Sequence, residues 1–112
     1  MSRSDRDRLL DVLEAGAAIA EHLRRGPLSD GLVFDAVRVR LIEIGEAVKD
    51  VSPELLAQQP SIPWRQVTAM RDQLAHRYFD TSHAIVAQTV GADLVELLVA
   101  TGSLLAVLDA QG

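Results

Sequence analysis

The sequence predicts an all-α protein: an up-and-down four-helix bundle with an extra short helix. Three observations carry that expectation. Apolar residues return every three or four positions along four long stretches. Nothing alternates with period two for long enough to make a strand. The aromatics are few (Phe34, Trp64, Tyr78 and Phe79), which leaves the core to Leu, Val, Ile and Ala and suits close helix packing. At 112 residues, 48% hydrophobic and 24% charged, the chain can fill one core and is too short for two, so a single domain over 1–112 is expected.

The first helix is expected over Asp5–Arg25, where Leu9, Leu10, Leu13, Ala17, Ala20 and Leu23 form a stripe opposite Asp11, Glu14, Glu21 and Arg24. Gly26-Pro27 ends it, and Ser29 and Asp30 offer N-cap side chains to a second helix over Gly31–Val51. The stripe of that helix is Leu32, Val33, Ala36, Val37, Leu41, Ile44, Ala47 and Val48. Ser52-Pro53-Glu54 places Pro in a first turn, so a short helical piece is expected over Pro53–Gln58, closed off by Pro60 and Pro63. Trp64, Val67, Met70 and Leu74 then predict a helix from Trp64 to Tyr78. Asp80-Thr81-Ser82 caps a last helix over Ser82–Leu108, built on Ile85, Val86, Val90, Leu94, Leu97, Leu98, Leu104, Leu105 and Leu108. Gly91 and Gly102 inside it each cost roughly 1 kcal/mol relative to Ala unless close packing offsets the loss, which predicts a bend or a tight crossing at these positions. Short connections between four principal helices make the bundle the natural arrangement.

Composition excludes several function classes. The net charge of −5 provides no global positive field for nucleic acid or an anionic membrane, so any polyanion site must be local. Lys49 is the only Lys, and the other basic residues are Arg, which suits bidentate phosphate contacts. The absence of cysteine rules out a disulfide scaffold, a thiolate nucleophile and a Cys-ligated metal. His22, His76 and His83 show no metal-ligand spacing, and no Gly-rich phosphate loop occurs, so neither metal nor cofactor is expected. The N-terminal residues mix both charge signs, unlike a signal peptide. The most apolar run, Leu94 to Leu108, contains Glu96, Thr101 and Ser103 and falls short of the roughly 20 residues that cross a bilayer. A cytoplasmic protein with no membrane contact is the expectation.

The segment Arg71-Asp72-Gln73-Leu74-Ala75-His76-Arg77-Tyr78 concentrates the polar chemistry. Asp72 and His76 are four apart on one helix face, where the carboxylate can accept from one imidazole nitrogen and leave the other for acid–base work. Arg71 and Tyr78 share a neighbouring strip. These groups suit phosphodiester cleavage in RNA without a metal: the histidine moves a proton at the 2′-hydroxyl or the leaving oxygen, and the guanidinium stabilises phosphate charge. Arg71 and His76 diverge by about 140° around one helix, so a two-fold dimer that brings two such ends together would complete the site. On spacing alone the pattern also fits a helix-end histidine satisfied by Asp72 with no catalytic role. Gly45 in the second helix is expected at a backbone contact, with Glu46 beside it to orient Arg71 or His76, or facing solvent. His22 is expected at the surface, and His83 lies at a helix N-terminal turn, where a cation is disfavoured.

Arg71-x4-His76-x-Tyr78, preceded by Ile44-Gly45-Glu46-Ala47, by Trp64 and by Met70, resembles the HepT-like toxins of the HEPN superfamily from about Arg8 to Leu108. The resemblance implies a helical homodimer that acts as a metal-independent RNA endonuclease with Arg71 and His76 as its catalytic pair; Asp72 and Glu46 are the supporting candidates that spacing supplies. It also implies a cognate antitoxin, a minimal nucleotidyltransferase of the MntA type, which silences the toxin by adenylylating Tyr78. The sequence departs from the family at Asp72, where Asn is frequent, and the added carboxylate repels phosphate slightly. RNA would be held by Arg71 and Arg77, with Arg38, Arg40 and Arg65 as further candidates. A second reading shares the partner and drops the chemistry: a noncatalytic helical adaptor or substrate-recognition subunit for a nucleotidyltransferase. A third is a dimerisation bundle with no ligand.

Overall fold

The computed structural model describes residues 3–76 and 79–111. Its elements are α1 (Asp5–Arg25), α2 (Gly31–Lys49), α3 (Pro53–Leu56), α4 (Trp64–His76), α5 (Phe79–Gln88), a π-helical turn over Thr89–Asp93, and α6 (Leu94–Gln111). All are helical, as the apolar periodicity predicts, and α5, the π turn and α6 follow one another without a break.

Local chemistry sets the ends. Ser4 and Asp7 form a reciprocal capping box at the start of α1, each side chain taking the other's backbone N–H. Asp30 caps α2 by accepting from the N–H groups of Leu32 and Val33. Pro53 occupies the first turn of α3, where its missing N–H costs nothing. Helix α2 ends at Lys49 and α3 at Leu56, each two residues short of expectation. The last helix begins earlier than expected, at Phe79, so Asp80-Thr81-Ser82 lies within its first turn.

Helix α2 runs through the middle of the bundle and packs on α1, α4 and α5, while α1 also packs on α6. Val37, Leu41 and Ile44 of α2 meet Val12 and Ile19 of α1, Met70 and Leu74 of α4, and Val86, Leu94 and Leu97 of the last helix in one cluster. Full burial of each such side chain stabilises the fold by about 1.5–3 kcal/mol. Leu9, Val51, Leu55, Leu104 and Leu105 form a second cluster at the other end.

Two expectations about which face turns inward are corrected. In α1 the buried residues are Leu9, Val12, Ala15, Gly16 and Ile19, whereas Leu10 is 39% exposed and Ala17 and Ala20 lie outside. The helix is apolar over most of its circumference, and Gly16 selects the face, because the Leu98 side chain occupies the space where a Cβ would stand. In α2, Leu32 is 83% exposed while Phe34, two residues on, is buried. The glycines of the last helix are not at a tight crossing either, since a Cβ at Gly91 or Gly102 would meet nothing within 4 Å. Gly91 lies in the π turn. Nothing in the structure explains Gly102.

The length argument against a membrane span also changes. Residues 82–111 form one continuous 30-residue helix whose most apolar window has a mean hydropathy of 1.8, enough to cross a bilayer by length and composition. A third of that window is buried within the bundle. Val95 and Val99, one turn apart, are 70% and 65% exposed.

Candidate functional site

The site is built where α2 crosses α4. Gly45 is buried there, and a Cβ on it would stand 3.0 Å from the Val67 carbonyl oxygen and 3.0 Å from Arg71 Cβ. The missing side chain therefore lets the two backbones approach, which is the contact the sequence predicts for Gly45. The next residue, Glu46, is carried to the same crossing, and its carboxylate forms an ion pair with Arg71 Nε. Of the three readings open to Glu46, the structure combines two: its carboxylate pairs with Arg71 while half of the side chain faces solvent.

Arg71 is gripped from a second side, since its Nη1 donates to Asp72 Oδ1 at 2.7 Å. The Asp72 carboxylate thus turns to its neighbour and not to His76, as the four-residue spacing suggested. A permanently charged guanidinium on a long stem outcompetes an imidazole for the same carboxylate. With 40% of the Arg71 side chain, 51% of Glu46 and 70% of Asp72 exposed, these pairs contribute little stability, on the order of 1 kcal/mol or less. Their effect is to fix where the guanidinium points.

His76 is exposed at the last residue of α4. The helix is regular up to that residue, so the divergence of about 140° from Arg71 stands within one chain. Helix α2 holds this end of α4 as well. Arg38, two turns before Gly45, donates from Nη1 to the Leu74 carbonyl at 3.1 Å, in the last turn, where helix carbonyls run out of intrahelical donors. One turn earlier still, Phe34 stacks on the His83 ring of α5 with centroids 5.2 Å apart and planes 10° from parallel. Phe34 and Arg38 thus grip the chain on both sides of the segment that joins α4 to α5. Tyr78 and Arg77, which the sequence singles out, belong to that segment and lie outside the described residues.

Two grooves flank Arg71. The first, about 640 Å³, lies over α1 and α2 and includes Arg3, Arg8 and Arg40 together with Asp11, Glu43, Glu46 and Asp50. The second, about 540 Å³, lies between the end of α2, α3 and α4, and is lined by Lys49, Val51, Pro53, Leu56, Trp64, Arg65, Thr68, Arg71 and Asp72. The indole N–H of Trp64 is bonded inward to the Gln59 carbonyl at 3.0 Å, which holds the ring in the groove wall.

The other sequence candidates divide between these surfaces. Arg38 is engaged by Leu74, and Arg40 bonds Glu43 and donates from Nε to His22 Nε2 at 3.3 Å, so His22 is a half-buried acceptor and not a free surface group. Arg65 lies in the second groove with Arg71. Sequence reasoning assigned no role to Lys49, because its place in that groove depends on the register between α2 and α4.

Comparison with known proteins gives the family. The family model described as ribonuclease HepT-like matches residues 11–103. The probable ribonuclease HepT of Thermococcus cleftensis is 36% identical over 101 residues, covering 87% of this chain and 92% of that protein. A candidate RNase of Methanocaldococcus jannaschii is 37% identical over 93 residues, covering 80% of this chain and 77% of its own length. A candidate RNase of Caldanaerobacter subterraneus is 38% identical over 60 residues, about half of each chain. No solved structure matches. The match over most of the length, on an all-helical bundle, places the chain in the HepT-like ribonuclease family.

Proposed function

We propose that this protein is the toxin of a toxin–antitoxin pair, a metal-independent endoribonuclease that cuts RNA with Arg71 and His76. The observation that carries the reading is the placement of both residues on the C-terminal half of α4, with Arg71 half-buried and fixed by Glu46 at the α2 crossing and His76 exposed at the end. In the reaction, the 2′-oxygen attacks phosphorus, the bond from phosphorus to the 5′-oxygen breaks, and a 2′,3′-cyclic phosphate and a 5′-hydroxyl result. His76 takes the 2′-hydroxyl proton or delivers one to the leaving 5′-oxygen, and Arg71 stabilises the added phosphate charge. A two-fold dimer that brings two α4 ends together lets Arg71 of one protomer and His76 of the partner subunit face a single phosphate, which resolves their divergence on one helix.

Control acts through Tyr78. A cognate minimal nucleotidyltransferase transfers AMP from ATP to the phenolic oxygen, and pyrophosphate leaves. On this reading the added phosphodiester puts an anion on the Arg71 guanidinium and blocks the RNA groove. Expression without the partner, followed by incubation with total RNA in excess EDTA, tests the reading. Cleavage is expected to survive EDTA and to vanish in His76→Ala, while Tyr78→Phe escapes the antitoxin. Intact RNA after incubation with folded, unmodified protein would overturn the nuclease and favour the noncatalytic adaptor.

A further inference from the structure

We infer that the groove between the end of α2, α3 and α4 is the single-strand RNA path of this protein, with Lys49 and Arg65 as its phosphate contacts leading to Arg71. The inference rests on the ribonuclease reading and names where its substrate lies. Its basis is the use of positive charge in an acidic protein. Arg3, Arg6, Arg8, Arg24, Arg25, Arg40 and Arg71 each have a carboxylate partner, and Arg38 is bonded to a backbone carbonyl. Among the described Lys and Arg residues, only Lys49 and Arg65 have a side chain with neither an ion pair nor a hydrogen bond. Both are exposed, and both line the same groove as Arg71.

The two grooves beside Arg71 therefore differ in kind. In the groove over α1 and α2 the guanidiniums are matched by carboxylates, so a phosphate entering there must displace an existing pair. In the second groove Lys49 and Arg65 are available at no such cost, and Asp72 is the one carboxylate in its lining. Arg65 and Arg71 are six residues apart on α4, about 9 Å along the helix axis and about 120° around it, so a strand that crosses the groove obliquely meets them at separate phosphates. The Trp64 ring in the wall, with Leu56, Val51 and Pro53, gives the bases an apolar surface in place of water. Because neither cation reads a base edge, the groove binds RNA without sequence preference.

The test uses full-length His76→Ala, which leaves the probe intact, and measures binding of a short fluorescein-labelled single-stranded RNA by anisotropy across a salt series. Lys49→Gln, Arg65→Gln and the double variant are compared with Arg40→Gln from the neighbouring groove, with melts confirming that each folds. Each lost phosphate contact is expected to flatten the slope of log affinity against log salt by about 0.7, and the double variant by about 1.4. A fourfold rise in salt then costs the double variant about sevenfold less affinity than it costs the parent. Arg40→Gln is expected to match the parent. An unchanged slope in the double variant, or an equal loss in Arg40→Gln, overturns the assignment of the groove while leaving the nuclease in place. A parent protein that binds no RNA overturns both.

Discussion

Gly45 and Gly102 are both helical glycines, and the structure predicts opposite signs for replacing them with alanine. At Gly102 an added Cβ meets nothing within 4 Å, so Gly102→Ala gains helix propensity alone, about 0.5–1 kcal/mol of stability. At Gly45 the same gain is opposed by a Cβ placed 3.0 Å from the Val67 carbonyl oxygen and 3.2 Å from the Arg71 backbone nitrogen. These atoms are backbone of a packed helix and cannot swing aside, so overpacking costs about 1–3 kcal/mol and Gly45→Ala is destabilised by about 1 kcal/mol net. The two variants thus differ by about 2 kcal/mol. Unfolding entropy of about 2.1 cal/mol/K per residue over 112 residues gives about 4 °C per kcal/mol, hence about 8 °C between their melting temperatures. Thermal unfolding followed by far-UV circular dichroism at one fixed protein concentration measures this. If Gly45→Ala melts at or above Gly102→Ala, the spacing of α2 and α4 is not set by the glycine, and the account of how Glu46 reaches Arg71 fails.

Three further outcomes follow from single contacts. Asp30→Ala removes the acceptor for two N–H groups at the start of α2 and should cost about 1 kcal/mol in urea unfolding, while Asp30→Ser should retain most of the stability. Asp72→Asn removes one of the two carboxylates on Arg71 and frees that guanidinium for phosphate. It should lower the KM for RNA several-fold with little change in melting temperature, because the lost pair is at the surface. Arg38→Ala takes the donor from the Leu74 carbonyl, so amide hydrogen exchange should accelerate in the last turn of α4 and not at its first.

The fold class and the extents of α1 and most of α2 and α4 were legible from apolar periodicity, because helices of this length announce themselves through spacing. Which side of α1 faces inward was not. Leu9, Leu10, Val12, Leu13, Ala15, Ala17 and Ile19 leave little polar surface to mark an outside, and the choice falls to a neighbour, Leu98, lodging against Gly16. Gly45 and Glu46 were legible as a pair, since a glycine within a helix asks for a close approach and the next side chain is carried to the same place. The partner of Asp72 was not, because spacing counts neighbours on a face but does not rank them, and Arg71 reaches across where the i+4 rule looked only to His76. Lys49 was invisible for a related reason: it joins Arg65 and Arg71 in one groove only once α2 and α4 are docked.

The central claim is that Arg71 and His76 cleave RNA through its own 2′-hydroxyl, and the end groups of the products test it most directly. The substrate is an RNA oligonucleotide with one 2′-deoxy substitution at a mapped cleavage position, incubated with the unmodified protein beside Arg71→Ala and His76→Ala. The account predicts 2′,3′-cyclic phosphate and 5′-hydroxyl ends from the all-ribose strand, no cut at the deoxy position, and no cut anywhere by either variant. Products with 5′-phosphate and 3′-hydroxyl ends, or cleavage at the deoxy position, would contradict it.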